Sequence, residues 1–309
     1  MKCRFCNDRA VINLRAYNIS LCKNHLTWFV EKRTHDTIRK YRLIQMEDTL
    51  LVAVSGGKDS LSLWNILKKS GYKADGLYIH LGIDSYSDES LKKAISFAES
   101  ICGRLYVVNL KEIFNRGINE IARFLRRTYC SACGTLKRYI MNRICMDKGY
   151  TALATGHNLD DEASALLGNL LYWKEEYLWK KNPLLEVEEG HLVRKVKPFF
   201  FLSEKEIAAY AVVSGIDYIY QECPYSRGAK TLLYKEILNR IEEESPGTKL
   251  GFLKGYLKRA KIERKEGKPM KYCSVCSYPS FGEKCVFCSL TERLNPSLSF
   301  TYVEYDFGR

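Results

Sequence analysis

An α/β fold built on a parallel sheet, with a cysteine-rich module at each end, is the class this sequence predicts, and three observations predict it. Short apolar runs at 50–54, 74–80, 105–109 and 151–155 alternate with helix-like stretches, the pattern of a parallel sheet with right-handed crossovers. The first run passes through Gly56-Gly57 straight into a helix start. Cysteine pairs at metal-ligand spacing stand near both termini.

Composition bounds the answer. The chain has 309 residues, 46% of them hydrophobic and 28% charged, enough for one substantial core with appendages. Its net charge of +13 favours a polyanionic partner, nucleic acid above all. No stretch approaches the roughly 18 to 20 apolar residues of a membrane span, and no signal-peptide core opens the sequence. A cytoplasmic protein with no membrane partner is therefore expected. In a reducing compartment, twelve cysteines point to metal ligands before disulfides.

Each element follows in order. Cys3-x-x-Cys6 and, after fifteen residues, Cys22-x-x-His25 make a Cys3His zinc site that would staple a segment too short to bury its own core. A basic helical linker over 31–48 follows. Residues 50–54 read as a strand covered on both faces, and Gly56-Gly57 allow a tight turn into a helix with Leu63, Ile66 and Leu67 on its apolar side and Gly71 as its stop. Backbone N–H groups at such a turn form a cradle for phosphate. The Walker A spacing is not met, because Val52 and Asp59 stand where Gly and Ser or Thr are required. Gly56 and Gly57 are adjacent, so the dinucleotide fingerprint fails as well.

Further strands are expected at 74–80 and 105–109, with a helix over 88–101 between them. The run at 151–155 leads into Gly156-His157-Asn158-Leu159-Asp160-Asp161-Glu162 and another helix. Ligands of such sheets bind at the carboxyl ends of the strands, which gathers 55–60, the end of 77–80 and 156–161 at one edge. Asp59 and Asp161 there suit Mg2+ on a triphosphate. His157 reads either as a site residue or as a satisfied structural histidine.

Between the third and fourth strands, Cys130-Ser131-Ala132-Cys133 precedes a helix carrying Lys137 and Arg138, and a lone Cys223 stands in Gln221-Glu222-Cys223-Pro224. Three thiolates are one short of a structural zinc site. The spacing serves equally a redox or persulfide-forming pair and a three-cysteine iron–sulfur cluster with one open iron. Cys102 and Cys145 have no partner at ligand spacing and read as buried small hydrophobes.

Beyond 165, residues 170–179 are apolar and aromatic, 185–190 form an acidic turn, and 191–198 are a basic strand carrying Arg194, Lys195 and Lys197. Phe199-Phe200-Phe201 reads as core, and Ser203 with Glu206 as a capping box for a helix through Val213. After Cys223 a basic helical stretch, from Arg227 and Lys230 through Lys235, Lys249, Lys254 and Lys258 to Lys261, Arg264, Lys265, Lys268 and Lys271, is interrupted at Ser245-Pro246-Gly247 and suits an RNA backbone. Cys273-x-x-Cys276 and, after eight residues, Cys285-x-x-Cys288 form a four-cysteine zinc ribbon. The tail from Asn295 is strand-like and expected to pack on a neighbouring domain. The divisions expected are a zinc finger (1–30), an α/β domain with its linker helix (31–225), a basic RNA-binding region (226–270) and a ribbon with its tail (271–309).

The loop Ser55-Gly56-Gly57-Lys58-Asp59-Ser60 after a strand resembles the SGGxDS loop of the PP-loop ATP pyrophosphatases, which cleave ATP between the α and β phosphates and pass AMP to a substrate oxygen. Gly-His-Asn-x-Asp-Asp strengthens that likeness. The full order, with Leu77-Tyr78-Ile79-His80-Leu81-Gly82, the Cys130 and Cys133 pair, Cys223 before Pro224 and both terminal modules, resembles the tRNA 2-thiouridine synthetases of the TtuA type over essentially the whole chain.

The resemblance implies a 4Fe-4S cluster on Cys130, Cys133 and Cys223 whose unique iron binds hydrosulfide. It implies ATP contacts at Ala53, Val54, Ser55, Asp59, Ile79, Lys137 and Gly156, beside the loop residues Gly56, Gly57, Lys58 and Ser60. Catalytic roles fall on Lys137 and Asp161, with Ser55 and Asp59 of the loop. The activity implied is adenylation of O2 of a tRNA uridine and its replacement by sulfur, with a T-loop uridine favoured over the wobble uridine. Two Zn2+, a ubiquitin-like sulfur carrier ending in a thiocarboxylate, and a homodimer complete the expectation. Three alternatives stand: an iron-free thiolase working through a persulfide on Cys130 or Cys223, a PP-loop tRNA ligase with no sulfur chemistry, and a zinc-ribbon RNA-binding module without catalysis. Substitution of Cys223 separates them.

Overall fold

The computed structural model describes residues 1–178, 181–185, 193–226, 230–259, 270–294, 296 and 301–308. The described elements, in chain order, begin with the hairpin β1 (Ile12–Leu14) and β2 (Ile19–Leu21), then α1 (Lys23–Lys40), β3 (Thr49–Val54), α2 (Lys58–Lys69), β4 (Lys73–His80), α3 (Asp84–Ser100) and β5 (Arg104–Asn109). Next come α4 (Leu110–Phe114), α5 (Ile118–Phe124), α6 (Tyr129–Lys148), β6 (Ala152–Ala154), α7 (Leu159–Leu171), α8 (Glu175–Leu178), β7 (Leu184–Leu185), β8 (Arg194–Val196) and α9 (Glu204–Val213). The remainder is α10 (Lys230–Glu244), α11 (Thr248–Arg259), β9 (Lys271–Tyr272), β10 (Pro279–Ser280), α12 (Val286–Thr291) and β11 (Val303–Asp306).

One sheet organises the molecule. Its seven strands run β11-β5-β4-β3-β6-β8-β7, parallel except for the outer strands β11 and β7. Side chains alternate along the central strands as period two requires. Leu50, Val52 and Val54 enter the core beneath α1, α2 and α9, while Leu51, Leu77, Ile79, Tyr106 and Val108 enter the opposite core beneath α5 and α6. Burial on both faces explains why the runs read as continuous rather than alternating. From β3 the strand order runs one way to β4 and β5 and the other way to β6 and β8, so the switch point lies between β3 and β6. Ligand crevices of open α/β sheets open at such points, beyond the carboxyl ends of the strands.

Several expectations become specific here. Helix α3 begins at Asp84, ahead of the expected residue 88, because Ser87 Oγ accepts the Ile83 N–H at 2.9 Å and orders a first turn that periodicity does not reveal. The tail supplies β11, which pairs antiparallel with β5 and closes that sheet edge, with Tyr302 against Tyr106. Phe199, Phe200 and Phe201 are buried core, and Ser203 with Glu206 caps α9. Cys145 is fully buried as expected, but Cys102 is exposed. Cys102 follows α3 in the left-handed region, φ 48°, which turns its side chain out of the core. The acidic turn beyond Leu185, His191, Trp179, Arg227, Lys261, Arg264, Lys265, Lys268, Asn295 and Phe300 lie outside the described residues.

The basic helices are not a free surface. Helices α10 and α11 pack on α7, and three lysines of the basic stretches turn inward. Lys235 meets Asp161 and Glu204, Lys249 meets Asp160, and Lys197 meets Glu162. Burying an ammonium is tolerable only beside a carboxylate, so each lysine marks a carboxylate that local sequence does not pair with it.

Candidate active site

Three helix N-termini converge at the switch point. Helix α2 starts at Lys58, α7 at Leu159 and α9 at Glu204. Asn158 ties the first two together: its amide donates to Asp59 Oδ1 at 3.1 Å, while its side-chain oxygen accepts the Asp160 and Asp161 N–H groups. Asp160 Oδ2 accepts the Glu204 N–H at 2.8 Å and so ties in the third. Positive ends of three helix dipoles meeting at one place favour an anion.

The glycine loop closes the cradle. Gly56 has φ +74°, and a Cβ there would stand 2.5 Å from the Ser90 carbonyl oxygen, so only glycine fits beneath α3. Ser60 Oγ accepts the Ser55 N–H at 3.1 Å and donates to the Gly57 carbonyl at 3.0 Å. A Cβ on Gly156 would stand 2.9 Å from the Asp59 carbonyl carbon and 3.1 Å from the Ser60 nitrogen. Gly156 is therefore glycine because its loop lies directly on the first turn of α2.

Charges around the cradle form a chain. Lys58 Nζ lies 3.2 Å from Asp59 and 2.6 Å from Glu204 Oε1, and Lys235 Nζ lies 2.7 Å from Glu204 Oε2 and 3.0 Å from Asp161 Oδ1. Although burial would raise Glu204, hydrogen bonds from Lys235 and Lys58 hold it at about 2. Burial pushes Asp59 above the usual carboxylate range, with Lys58 opposing and the Asp161 charge adding to it. Two carboxylates linked through one asparagine suit Mg2+, which takes one or two carboxylates and completes its shell with phosphate and water. His157 is exposed, its Nδ1 3.0 Å from Thr155 Oγ1. The cleft of about 380 Å³ beneath the β1–β2 hairpin touches Asp160 and Glu204 but no residue of the glycine loop, so it is not the cradle.

A second chemical centre forms at the start of α6. Cys130 and Cys133 occupy its first turns, rather than preceding the helix, and the turn after Cys223 docks there. The Cys130 thiol donates to the Tyr225 carbonyl at 3.7 Å, and Tyr129 stacks on Tyr225 with ring centres 4.3 Å apart. Burial raises Cys133; Lys137 beside it opposes that rise, and Cys223 and Cys130 add to it. Lys137 is thus a neighbour of the thiols. Ile79 and His80 end β4, and Tyr86, in the first turn of α3, has its hydroxyl pushed above the usual tyrosine range by burial first and then by Cys223 and Cys133.

Among the described residues, two groups bring their donor atoms within 4.8 Å of one another: Cys3, Cys6, Cys22 and His25, and Cys273, Cys276, Cys285 and Cys288. Each could hold one metal ion, and four such donors suit tetrahedral zinc. Against burial, the N–H groups of Cys285, Val275 and Cys276 bring Cys273 down to about 6, ready for a cation. Cys130, Cys133 and Cys223 form no such single-ion group. Wider spacing is what a cubane asks for, since each of its thiolates binds a different iron. The ribbon packs on the same helix as the thiol pair, with Phe287 stacked on Tyr139 at 3.8 Å and Arg143 donating to the Cys276 carbonyl at 3.0 Å.

The structure therefore gathers 55–60, Gly156 and Asp161 at one mouth, and Cys130, Cys133, Cys223 and Lys137 at another. Ala53 and Val54 end β3 beside the loop. Sequence reading missed Glu204 and Lys235. Glu204 stands one residue after a capping serine, a signal of helix start only, and Lys235 is one of two lysines on α10, within a long stretch read only for its overall basic charge.

Comparison with known proteins agrees with this arrangement. A PP-loop domain family matches residues 29–228, and the N-terminal LIM domain of the 2-thiouridine synthetase TtuA matches residues 2–27. The tRNA-5-methyluridine(54) 2-sulfurtransferase of Pyrococcus horikoshii is 45% identical over 97% of this chain and 98% of its own length. Its Thermus thermophilus counterpart of the same name is 45% identical over 94% and 91%. The solved U34-tRNA thiolase NcsA from Methanococcus maripaludis, with its [4Fe-4S] cluster, superposes with a TM-score of 0.80 at 26% identity, covering 95% of this chain and 96% of that one. The chain belongs to the PP-loop family and, within it, to the tRNA 2-thiouridine synthetases of the TtuA type.

Proposed function

We infer that this protein is an ATP-dependent tRNA 2-sulfurtransferase that replaces O2 of a T-loop uridine with sulfur. The observation that carries the reading is that α3 borders both centres, with the Ser90 carbonyl against Gly56 of the phosphate cradle and Tyr86 beside Cys133 and Cys223. The T-loop target rests on the two relatives named for position 54. Twelve free cysteines and a tRNA substrate fit a reducing cytoplasm.

Residue roles follow from placement. N–H groups of the glycine loop and the first turn of α2 hold the phosphates of ATP, Lys58 offsets their charge, and Asp59 with Asp161 holds Mg2+. Ala53, Val54 and Ile79, at the ends of β3 and β4, seat the nucleoside. Uridine O2 attacks the α-phosphorus and pyrophosphate leaves, which turns an amide-like oxygen into a good leaving group. Lys137, one helix turn beyond Cys133 on α6, stabilises the charge that builds on the transferred phosphoryl. Replacement of the adenylate by sulfur then releases AMP.

Cys130, Cys133 and Cys223 would hold the 4Fe-4S cluster, which supplies an iron without a protein ligand at which sulfur is presented. Zinc on the two four-donor modules would be structural. A small carrier with a C-terminal thiocarboxylate is the donor in this reading, and the working unit a homodimer.

Metal analysis tests it. Protein purified without oxygen should hold about four irons and two zincs per chain, with acid-labile sulfide matching the iron. Zinc at about two with no iron, even after anaerobic reconstitution, moves the reading to a persulfide on Cys130 or Cys223.

A further inference from the structure

We propose that Lys235 is a ligand of the β- and γ-phosphates of ATP, and that Glu204 is a placeholder carboxylate that occupies Lys58 and Lys235 until the triphosphate takes them over. The proposal rests on the functional reading above, since it names a further partner of that phosphate site.

The geometry is specific. Glu204 divides its two oxygens between two lysines from different parts of the chain, Oε1 to Lys58 at 2.6 Å and Oε2 to Lys235 at 2.7 Å. Both ammoniums are therefore held around one carboxylate at the mouth of the glycine loop. Their side chains are about one-fifth exposed and that of Glu204 about one-third, so the trio sits at the rim of the site and not in the core. Asp59 and Asp161 also touch these lysines, at 3.2 and 3.0 Å, but with Mg2+ on those two carboxylates the pair of ammoniums at three converging helix N-termini faces Glu204 alone, which only partly satisfies them. A triphosphate presents several charged oxygens and competes directly for the same ammoniums.

Direction places the tail of the nucleotide there. With the nucleoside seated beside Ile79 on β4, a triphosphate crossing the loop runs towards β6 and α7, and Lys235 reaches in from that flank to Asp161 Oδ1 at 3.0 Å. Lys235 also holds Asp161 in the free protein. Nucleotide binding exchanges partners: phosphate oxygens take the ammoniums, and Asp161 is released to Mg2+.

Binding of Mg2+ and α,β-methylene-ATP to the cluster-loaded protein, followed by calorimetry without turnover, tests the exchange. Lys235→Met should weaken binding about tenfold or more, Lys235→Arg should restore it to within about threefold, and AMP affinity should not change. Glu204→Gln should move the other way and tighten binding about threefold or more, because a competitor for the same lysines is gone. A merely structural ion pair predicts weaker binding in both variants, since each breaks the same bridge. Loss in both variants, or a change in neither at native melting temperature, overturns the proposal while leaving the functional reading intact. Failure of the wild-type protein to bind the analogue overturns both.

Discussion

Lys249→Met probes how the site is braced. The Lys249 and Asp160 side chains are only 7% and 4% exposed. Lys249 Nζ lies 2.5 Å from Asp160 Oδ1 and 2.7 Å from Asn239 Oδ1, and Asp160 Oδ2 accepts the Glu204 N–H. Asp160 thereby links the start of α7 to the start of α9, and Lys249 neutralises it from α11. Methionine keeps most of the apolar stem and removes the charge. What remains is a buried carboxylate with one neutral donor, a defect that costs about 3–5 kcal/mol. Replacing both partners, Asp160→Asn with Lys249→Met, leaves no unpaired charge and should recover about 1–3 kcal/mol of that loss. Urea midpoints at neutral pH, with unchanged slope, measure both quantities. A single-variant loss below about 1 kcal/mol, the size of an exposed pair, or a double variant no better than the single, refutes the bracing argument.

Other consequences concern the cradle and the thiols. Gly156→Ala drives a Cβ into the backbone of Asp59 and Ser60 and should lower kcat/KM for ATP by about ten- to a hundredfold through displacement of the glycine loop, with tRNA affinity unchanged; equal kinetics would contradict that packing. Cys133→Ser should abolish the visible iron–sulfur absorption while zinc stays at about two per chain, and parallel loss of zinc would show that the thiols belong to a ribbon. Glu204 is held at about 2, against 4.5 for a free glutamate, because Lys235 and Lys58 outweigh burial. Its contribution to stability is complete above pH 4.5 and disappears as pH falls towards 2. The difference in urea midpoint between wild type and Glu204→Gln should shrink across that window, and a constant difference would mean that the ion pairs contribute nothing.

What the sequence made legible was local. Metal ligands at Cys-x-x-Cys and Cys-x-x-His spacing, the strand–glycine–helix turn at 50–60 and the Ser203–Glu206 capping box are short-range chemistry, written within a few residues of one another. The site's long-range wiring was not legible. Lys235 and Asp161 are 74 residues apart, and Lys249 and Asp160 are 89 apart, on helices whose amphipathic pattern does not single out one lysine. The same blindness made two inward lysines, Lys235 and Lys249, read as part of an RNA-facing surface. Cys102 failed for another reason: hydrophobicity placed it inside, whereas the left-handed backbone at the end of α3 turns it out. The tail at 303–306 read as a strand, but its partner β5, two hundred residues earlier, follows only from the unfilled sheet edge.

The most direct test of the central claim is anaerobic reaction of the cluster-loaded protein with Mg2+, ATP, sulfide and a tRNA transcript, followed by nucleoside mass spectrometry. One uridine-derived nucleoside, located in the T-loop, should have exchanged oxygen for sulfur. Formation should require ATP, yield AMP in equal amount, and stop with Cys223→Ala. Sulfur incorporation without ATP, or AMP release with no sulfur in the tRNA, would contradict it.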